Sequence, residues 1–263
     1  MDKQKEGTNI KNGIKILFWL IFLAFFVYSF QTIMDLEGIT NPRRQEILIR
    51  MLTALAKPNF FEGEASRQAV AQIWETVQIA FLATTISAIF AIPFTFFSAR
   101  PSSFWGHGFN ILLQPLLSAV RGVHPLIIAI PAIVFVGIGP TAGVLALTLF
   151  STSVLIGTFS DYAQQHASLT WGILFKVYFP GLAFRYLPVN ILISTVLGFV
   201  GGGGIGFLLQ QNINLLYYGD ASVAILACII VIGSFDLLSR AIWHRIQVVY
   251  GASPIYPEVT NLN

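Results

Sequence analysis

Charged residues are scarce in this chain: only 10% of its 263 residues are Asp, Glu, Lys or Arg, whereas a soluble globular domain carries about 25%. Hydrophobic residues make up 55% of the chain, and its mean hydropathy is +0.73. This composition excludes a soluble domain. Apolar runs of about 20 residues recur along the chain, and a helix of this length crosses roughly 30 Å of hydrocarbon. The sequence therefore predicts an all-α protein that forms one polytopic bundle of transmembrane helices.

Cysteine is nearly absent, since Cys228 is the only one. An intrachain disulfide and a cysteine-based metal cluster are therefore excluded. The four histidines are scattered, and neither an HExxH motif nor a serine–histidine–acid pattern occurs, so we expect no enzyme active site and no cofactor. The net charge of +3 is accounted for by basic cytoplasmic loops, as in other membrane proteins, and predicts no nucleic-acid partner.

Six membrane spans are predicted from the length of the apolar runs and from their polar, glycine or proline interruptions. They cover residues 14–34, 70–98, 108–136, 140–160, 177–206 and 220–241. The first span is longer than the apolar region of a signal peptide, and no Ala-x-Ala site follows it, so we expect an uncleaved anchor helix. Four lysines within residues 1–15 place the N-terminus in the cytoplasm. Alternation of the spans places the C-terminus there as well.

These spans divide the chain into three predicted parts. Residues 1–69 hold the anchor helix and an external segment, whose apolar residues at 47–55 have the spacing typical of a helix at the membrane interface. Residues 70–245 form the main transmembrane domain. Residues 246–263 form a cytoplasmic tail.

Arg121 begins a stretch in which prolines and glycines interrupt the third predicted span. Pro125 and Pro131 remove backbone hydrogen bonds, and Gly137-Ile-Gly-Pro140 predicts a tight external turn before the next helix. An arginine inside the hydrocarbon is costly unless it reaches the interface, pairs with an acid or faces water. Arg121 is therefore either part of a path for anions or an anchor at the inner membrane face. His124 is interpreted as a packed helix residue, not as a ligand.

Glycines cluster at the end of the fifth predicted span. They are Gly201, Gly202, Gly203, Gly204 and Gly206. Each glycine costs a helix about 1 kcal/mol relative to alanine, so this segment predicts a hinge or a close crossing of helices. A dinucleotide site is excluded because the strand and soluble helix that would flank it are missing.

Two acidic residues in the apolar spans have local explanations. Asp236 and Arg240 are four residues apart, which places them on one helix face and predicts an ion pair at the cytoplasmic mouth, with Ser239 beside it. Glu75, followed by Thr76, is interpreted as a helix-start carboxylate that stays hydrated at the outer end of the second span.

Four sequence blocks together resemble the membrane permease subunits of phosphonate-type ABC importers, which have a MetI-like transmembrane domain. The blocks are Glu75-Thr-Val-Gln-Ile-Ala, Ile92-Pro-Phe-Thr-Phe-Phe-Ser-Ala-Arg, Gly137-Ile-Gly-Pro-Thr-Ala-Gly-Val-Leu-Ala-Leu and Thr195-Val-Leu-Gly-Phe-Val-Gly-Gly-Gly-Gly-Ile-Gly-Phe. The resemblance covers the predicted transmembrane domain, residues 70–245. It implies a type I ABC importer permease fold and transport of phosphonate, phosphite or a related phosphorus oxyanion across the inner membrane.

The resemblance also implies the partners of such a subunit. Two copies would form a homodimer in the lipid bilayer, dock on cytoplasmic ABC ATPase subunits and receive substrate from a periplasmic or lipid-anchored binding protein. The chain has no Walker A motif, so ATP hydrolysis would belong to a partner chain. Substrate would pass Arg121 and the glycines at 201–204 and 206, whose backbone amides we expect to be exposed near the outer face.

The segment 161–176 departs from the family pattern. In the family this segment couples the permease to its ATPase and contains a Thr-Gly-Ala-like turn, whereas here it is shorter and lacks that turn. The residues expected to contact the ATPase are Asp161, Ser168, Thr170 and Gly172. Arg185-Tyr-Leu-Pro-Val-Asn190 also differs from the family's Tyr-Arg-Phe-Glu-x-Asn-like run. Two other functions stay open: a secondary carrier, whose inverted repeats and intramembrane acids are not evident here, and a membrane scaffold without transport activity.

Overall fold

The computed structural model describes residues 2–34, 40–60, 63–98, 104–166 and 169–250, and all regular secondary structure in these ranges is helical. The helices, in chain order, are α1 (Asp2–Ile33), α2 (Pro42–Leu55), α3 (Gly63–Ser98), α4 (Phe104–Gly122), α5 (Pro125–Val136), α6 (Pro140–Gln165), α7 (Trp171–Gly198), α8 (Ile205–Asn214) and α9 (Tyr218–Tyr250). The chain divides into two compact units, Met1–Thr53 and Ala54–Asn263. The predicted all-α fold is confirmed.

The first unit contains α1 and most of α2. Residues Lys15–Ile33 of α1 are long and apolar enough to span a membrane, and none of this stretch is buried in protein. An exposed helix of this kind is suited to lipid on all sides, and its bounds agree with the anchor span predicted at 14–34. Asn41 begins α2, because its Oδ1 accepts the N–H of Arg43 at 3.0 Å.

The second unit has α3 and α6 at its centre, and these two helices run in the same direction. Ile79 of α3 lies beside Gly143 of α6, and farther along both helices Ser87 Oγ donates to the carbonyl of Thr148 at 3.0 Å. Alanines at 80, 83 and 146 are completely buried. Small side chains of this kind let the backbones of transmembrane helices approach closely.

Helix α7 runs antiparallel to α6, and Asn190 joins it to both central helices. Asn190 is completely buried. Its Oδ1 accepts the hydroxyl of Ser151 at 2.9 Å, and its Nδ2 donates to Thr84 Oγ1 at 2.7 Å. Toward the start of α7, Phe179 stacks on Phe159 with ring centroids 4.5 Å apart. A polar group and an aromatic pair thus fix α7 against the centre of the unit.

The second unit has two distinct ends. The glycine end holds the turn between α5 and α6 and the turn between α7 and α8. The aromatic end holds Tyr162, Tyr178 and Trp243, whose rings pack together with centroids 5.0–6.3 Å apart. Helix α9 leads from the glycine end to the aromatic end, antiparallel to α7. The two ends are joined by α6, which has 26 residues and is therefore about 39 Å long at 1.5 Å per residue.

Among the described residues, five helices are long and apolar enough to cross a membrane, or six spans if α4 and α5 form one broken span. This agrees with the six predicted spans except at two places. The helix that corresponds to the span predicted at 177–206 ends at Gly198, before the clustered glycines. The span predicted at 108–136 is broken, because Ile111–Gly122 and Pro125–Val136 meet at 92°. The break follows from Pro125, which lacks an N–H and holds His124 in an extended conformation (φ −63°, ψ 138°). Pro131, which was also predicted to break the span, lies inside α5 without ending it.

Candidate functional site

Two glycine-rich turns lie side by side at the glycine end. The first connects α5 to α6, and the second, residues 199–204, is called the glycine loop. The N–H of Gly139 donates to the carbonyl of Gly201 at 2.8 Å, which joins the two turns. Glycines in both turns have positive φ, a conformation that side chains disfavour: Gly137 (+89°), Gly139 (+145°), Gly201 (+98°), Gly203 (+77°) and Gly204 (+73°). Both turns therefore depend on glycine.

Helix α8 begins at the glycine loop without a side-chain cap of its own, because its N-cap residue is Gly204. Helix α3 supplies the acceptors. Oε1 of Glu75 accepts the N–H of Gly204 at 3.0 Å, and Oγ1 of Thr76 accepts the N–H of Ile205 at 2.8 Å. Since the first N–H groups of a helix have no partner within it, Glu75 and Thr76 cap α8 from a neighbouring helix. We call these two residues the α3 clamp.

The α3 clamp changes the interpretation of Glu75. Helix α3 begins at Gly63, so Glu75 lies in its fourth turn and not at a helix start, as the sequence had suggested. Gly201 to Gly206 are buried, whereas exposed amides were expected here. The residues of the clamp and of the loop both belong to sequence blocks that carry the family resemblance, but the sequence analysis did not link them.

The clamp leads to a first prediction. Glu75→Ala removes the acceptor of the Gly204 amide, which is worth about 1 kcal/mol for a helix N-cap. We expect hydrogen–deuterium exchange in a peptide covering residues 201–208 to become about fivefold faster. Glu75→Gln is the matched control, because its side-chain carbonyl can still accept this hydrogen bond. Equal exchange in Glu75→Ala and the unmodified protein would show that the clamp does not stabilise the loop.

The predicted crossing of helices at the glycines is confirmed. A Cβ on Gly206 of α8 would overlap the carbonyl oxygen of Thr195 in α7, so the two helices touch backbone to backbone. A Cβ on Gly143 of α6 would lie 2.5 Å from the carbonyl oxygen of Gly202. The glycine loop is therefore packed tightly against α6, and the contact lies within one chain.

Arg121 lies at a different level of the second unit. It is in the last turn of α4, its Nη2 donates to Ser118 Oγ at 3.3 Å, and a Cβ on Gly157 of α6 would overlap Nη1 of Arg121. Gly157 is 14 residues farther along α6 than Gly143, which is about 21 Å. The structure thus separates Arg121 from the glycine loop. His124 is exposed and lies between α4 and α5, so the prediction of a packed helix residue is wrong. It caps α5, since its Nδ1 accepts the N–H of Leu126 at 3.3 Å.

Asp236 is bound by two arginines. Its Oδ2 lies 2.7 Å from Nη2 of Arg240, which confirms the ion pair predicted from their spacing, and its Oδ1 lies 3.1 Å from Nη1 of Arg185. Arg185 belongs to α7 and was missed as a partner. Ser239 is buried and donates to the carbonyl of Asp236 at 2.9 Å. This cluster ties α7 to α9.

The connection between α6 and α7 at the aromatic end is short. Helix α6 ends at Gln165, and His166 stacks on Tyr162 with ring centroids 4.2 Å apart. Thr170 is extended and its carbonyl accepts the N–H of Ile173 at 2.9 Å, so the helix restarts at Trp171 and passes through a π-helical turn at Leu174–Tyr178.

The four residues expected to contact an ATPase flank or occupy this connection. Asp161 is exposed in the last turns of α6, and Thr170 precedes α7. Gly172 has open space beside its Cα. Ser168 lies outside the described residues. The connection between α6 and α7 consists of residues 166–170. Most of the segment 161–176 therefore belongs to the spanning helices themselves.

Comparisons with known proteins identify the relatives of this chain. No protein-family model matches it. It is similar to the phosphate-import permease protein PhnE of Mycolicibacterium smegmatis, with 32% identity over an alignment of 187 residues, and the match covers 64% of this chain and 35% of that protein. It is also similar to the phosphite transport system permease protein PtxC of Stutzerimonas stutzeri, with 27% identity over an alignment of 210 residues, and this match covers 73% of this chain and 75% of that protein. The chain thus spans about a third of the first relative's length and three quarters of the second's.

The fold is similar to that of a chain in the MetNI methionine ABC transporter, solved in inward-facing conformations. The TM-score is 0.51 with 16% identity, and the match covers 68% of this chain and 96% of that chain. At this identity the likeness shows the fold alone. The fold is that of a type I ABC importer permease, and the chain is a multi-pass membrane protein.

Proposed function

We propose that the chain belongs to the phosphonate-type family of ABC importer permeases and that it is the membrane-spanning subunit of an importer for phosphonate, phosphite or a related phosphorus oxyanion. The observation that carries this proposal is the similarity to permeases named for phosphate and phosphite transport, in a chain that also has the importer permease fold. ATP is hydrolysed by a separate ABC ATPase subunit, and a periplasmic or lipid-anchored binding protein delivers the substrate.

The two ends of the second unit take different roles in this proposal. The glycine end faces the outside, where the glycine loop and the α3 clamp form the outer part of the substrate path with Gly201, Gly202, Gly203, Gly204 and Gly206. Because these glycines are buried in one chain, an oxyanion reaches their amides only when the loop moves away from α3 and α6. Arg121 lies on the inner part of the same path. Residues 70–245 form the transport domain, and two copies of it face each other across the path.

The aromatic end faces the cytoplasm. Both chain termini lie in the cytoplasm as well, the C-terminus in the tail of residues 246–263, whereas residues 1–69 comprise the anchor helix and an external interfacial segment. The short connection at 166–170 meets the ATPase, with Asp161, Ser168, Thr170 and Gly172 at the contact. Helix α6 and helix α7 lead from this connection into the bundle without an intervening element, so a displacement at Thr170 is passed directly to the π-helical turn.

The test is affinity purification of the chain from its native membrane in mild detergent, followed by identification of the proteins that accompany it. We expect an ABC ATPase at near-equal stoichiometry. A membrane carrier of unrelated fold, purified in parallel with the same tag, controls for ATPases that bind detergent micelles. Recovery of the chain alone, folded and monodisperse, would reject the importer and leave a secondary carrier or a scaffold.

A further inference from the structure

Arg121 differs from the two arginines that bind Asp236 in how its charge is balanced. Arg185 and Arg240 share the carboxylate of Asp236. Arg121 forms no ion pair with any residue that the structure describes, although it is partly buried and lies against α6. A guanidinium in apolar surroundings is costly without an opposite charge. Its position therefore calls for an anion that the described chain does not supply.

The face of α4 that carries Arg121 is polar. Gln114, Ser118 and Arg121 have the spacing i, i+4 and i+7, which places them on one face of the helix. Arg121 reaches back along this face to Ser118. The side-chain oxygen of Gln114 is buried and has no hydrogen-bond partner among the described residues. This stripe ends where α4 meets α6.

The facing surface of α6 offers space and a second unpaired polar group. Gly157 leaves room for the Arg121 guanidinium, which a Cβ at this position would overlap. Ser160 follows three residues later and so lies on the same face of α6 as Gly157. Ser160 is 2% exposed, and its hydroxyl has no partner in the part of the chain that the structure describes. Buried polar groups are nearly always hydrogen-bonded, so this unpaired donor, on the face of α6 that meets the unpaired guanidinium, indicates a missing acceptor.

We propose that the seam between α4 and α6 binds a phosphorus oxyanion. Arg121 donates charge-assisted hydrogen bonds to the anion, and the hydroxyls of Ser118 and Ser160 donate to its remaining oxygens. The proposal rests on the proposed function in one respect, since it places an oxyanion-binding step on the inner part of the transport path. A single guanidinium binds weakly, which suits a site that must release its ligand. The phosphate of a lipid headgroup has the same chemistry as the transported ion.

The test measures the binding of methylphosphonate to the purified chain in dodecyl maltoside micelles, which contain no phosphate. Binding is detected as broadening of the ³¹P resonance of methylphosphonate. We expect Arg121→Gln to weaken binding at least tenfold, because a hydrogen bond to a charged group is lost. Arg185→Gln is the matched control: it removes an arginine from the same bundle, and we expect binding within twofold of the unmodified chain.

Two variants keep the test decisive if Arg121→Gln does not fold. Gly157→Ala retains the charge and moves the guanidinium away from its place on α6, and Ser160→Ala removes one donor; we expect both to weaken binding several-fold. The proposal would be overturned if Arg121→Gln bound methylphosphonate as tightly as the unmodified chain. It would also be overturned if Gly157→Ala and Ser160→Ala both did so.

Anionic lipid distinguishes the two sources of the ligand. If added phosphatidylglycerol removes the Arg121-dependent broadening, a lipid headgroup fills the site; if the broadening persists, the free ion does, and either result supports an oxyanion site at Arg121. This outcome is independent of the importer assignment. If the chain purifies without an ATPase but binds methylphosphonate through Arg121, only the proposed function is rejected. If it purifies with an ATPase but its methylphosphonate binding does not depend on Arg121, only the site is rejected.

Discussion

Gly206→Ala is expected to destabilise the protein more than any other single-methyl substitution at the glycine end. The added Cβ would overlap the carbonyl of Thr195 and come within 3.0 Å of Gly198 Cα. Both obstacles are backbone atoms, so neither can rotate away, and α8 must move off α7. Overpacking of this kind costs about 3 kcal/mol, which corresponds to a fall of about 6–12 °C in melting temperature for a chain of this size.

Gly233→Ala is the matched control for this prediction, because Gly233 lies within α9 with nothing within 4 Å of the added Cβ. Here the expected result is an unchanged or slightly higher melting temperature, since alanine favours the helix by about 1 kcal/mol. Both variants are measured by thermal unfolding in the same detergent. If Gly206→Ala unfolds at the temperature of Gly233→Ala, the backbone contact between α7 and α8 is not present.

Asn190→Ala is expected to lower stability by about 2 kcal/mol. The substitution removes the acceptor of the Ser151 hydroxyl and the donor to Thr84 Oγ1, and it leaves a small cavity where three helices meet. Hydrogen bonds between transmembrane helices average about 0.6 kcal/mol each and reach about 1.7. Two average bonds contribute about 1.2 kcal/mol, and the cavity left by the substitution accounts for the rest.

Ser194→Ala offers the comparison. Ser194 lies one turn after Asn190 on the same face of α7, and its buried hydroxyl has no hydrogen-bond partner among the described residues. Removing an unpaired buried hydroxyl is expected to be neutral or stabilising. Thermal unfolding should therefore separate the two variants by several degrees, and equal melting temperatures would mean that Asn190 does not hold the three helices together.

The spans, the turn at Gly137–Pro140 and the ion pair between Asp236 and Arg240 were predictable because each depends on residues close together in sequence. The break at Pro125 is of the same kind, since the missing N–H and the restricted preceding residue act locally. Pro131 shows the limit of that rule. It lies in the middle of α5, and transmembrane helices tolerate proline where neighbouring groups satisfy the freed carbonyl.

The contacts that define the candidate sites join distant parts of the chain. Glu75 and Gly204 are 129 residues apart, and Arg185 and Asp236 are 51 residues apart. Neither periodicity nor composition specifies such pairs. Glu75 was therefore interpreted as a helix-start residue, and no partner was predicted for Arg185. The surroundings of Arg121 could not be predicted for the same reason. Its guanidinium lies where Gly157 has no side chain, and a lone glycine in an apolar helix does not indicate which residue packs against it.

We infer that this chain imports a phosphorus oxyanion with energy from ATP. The most direct test is uptake of methylphosphonate, phosphite and phosphate into proteoliposomes that contain the chain, its co-purified ATPase and the substrate-binding protein. We predict accumulation that requires ATP on the cytoplasmic side and is lost when the ATPase is omitted. Accumulation driven by an ion gradient without ATP, or none of the three ions taken up by an ATP-hydrolysing complex, would contradict it.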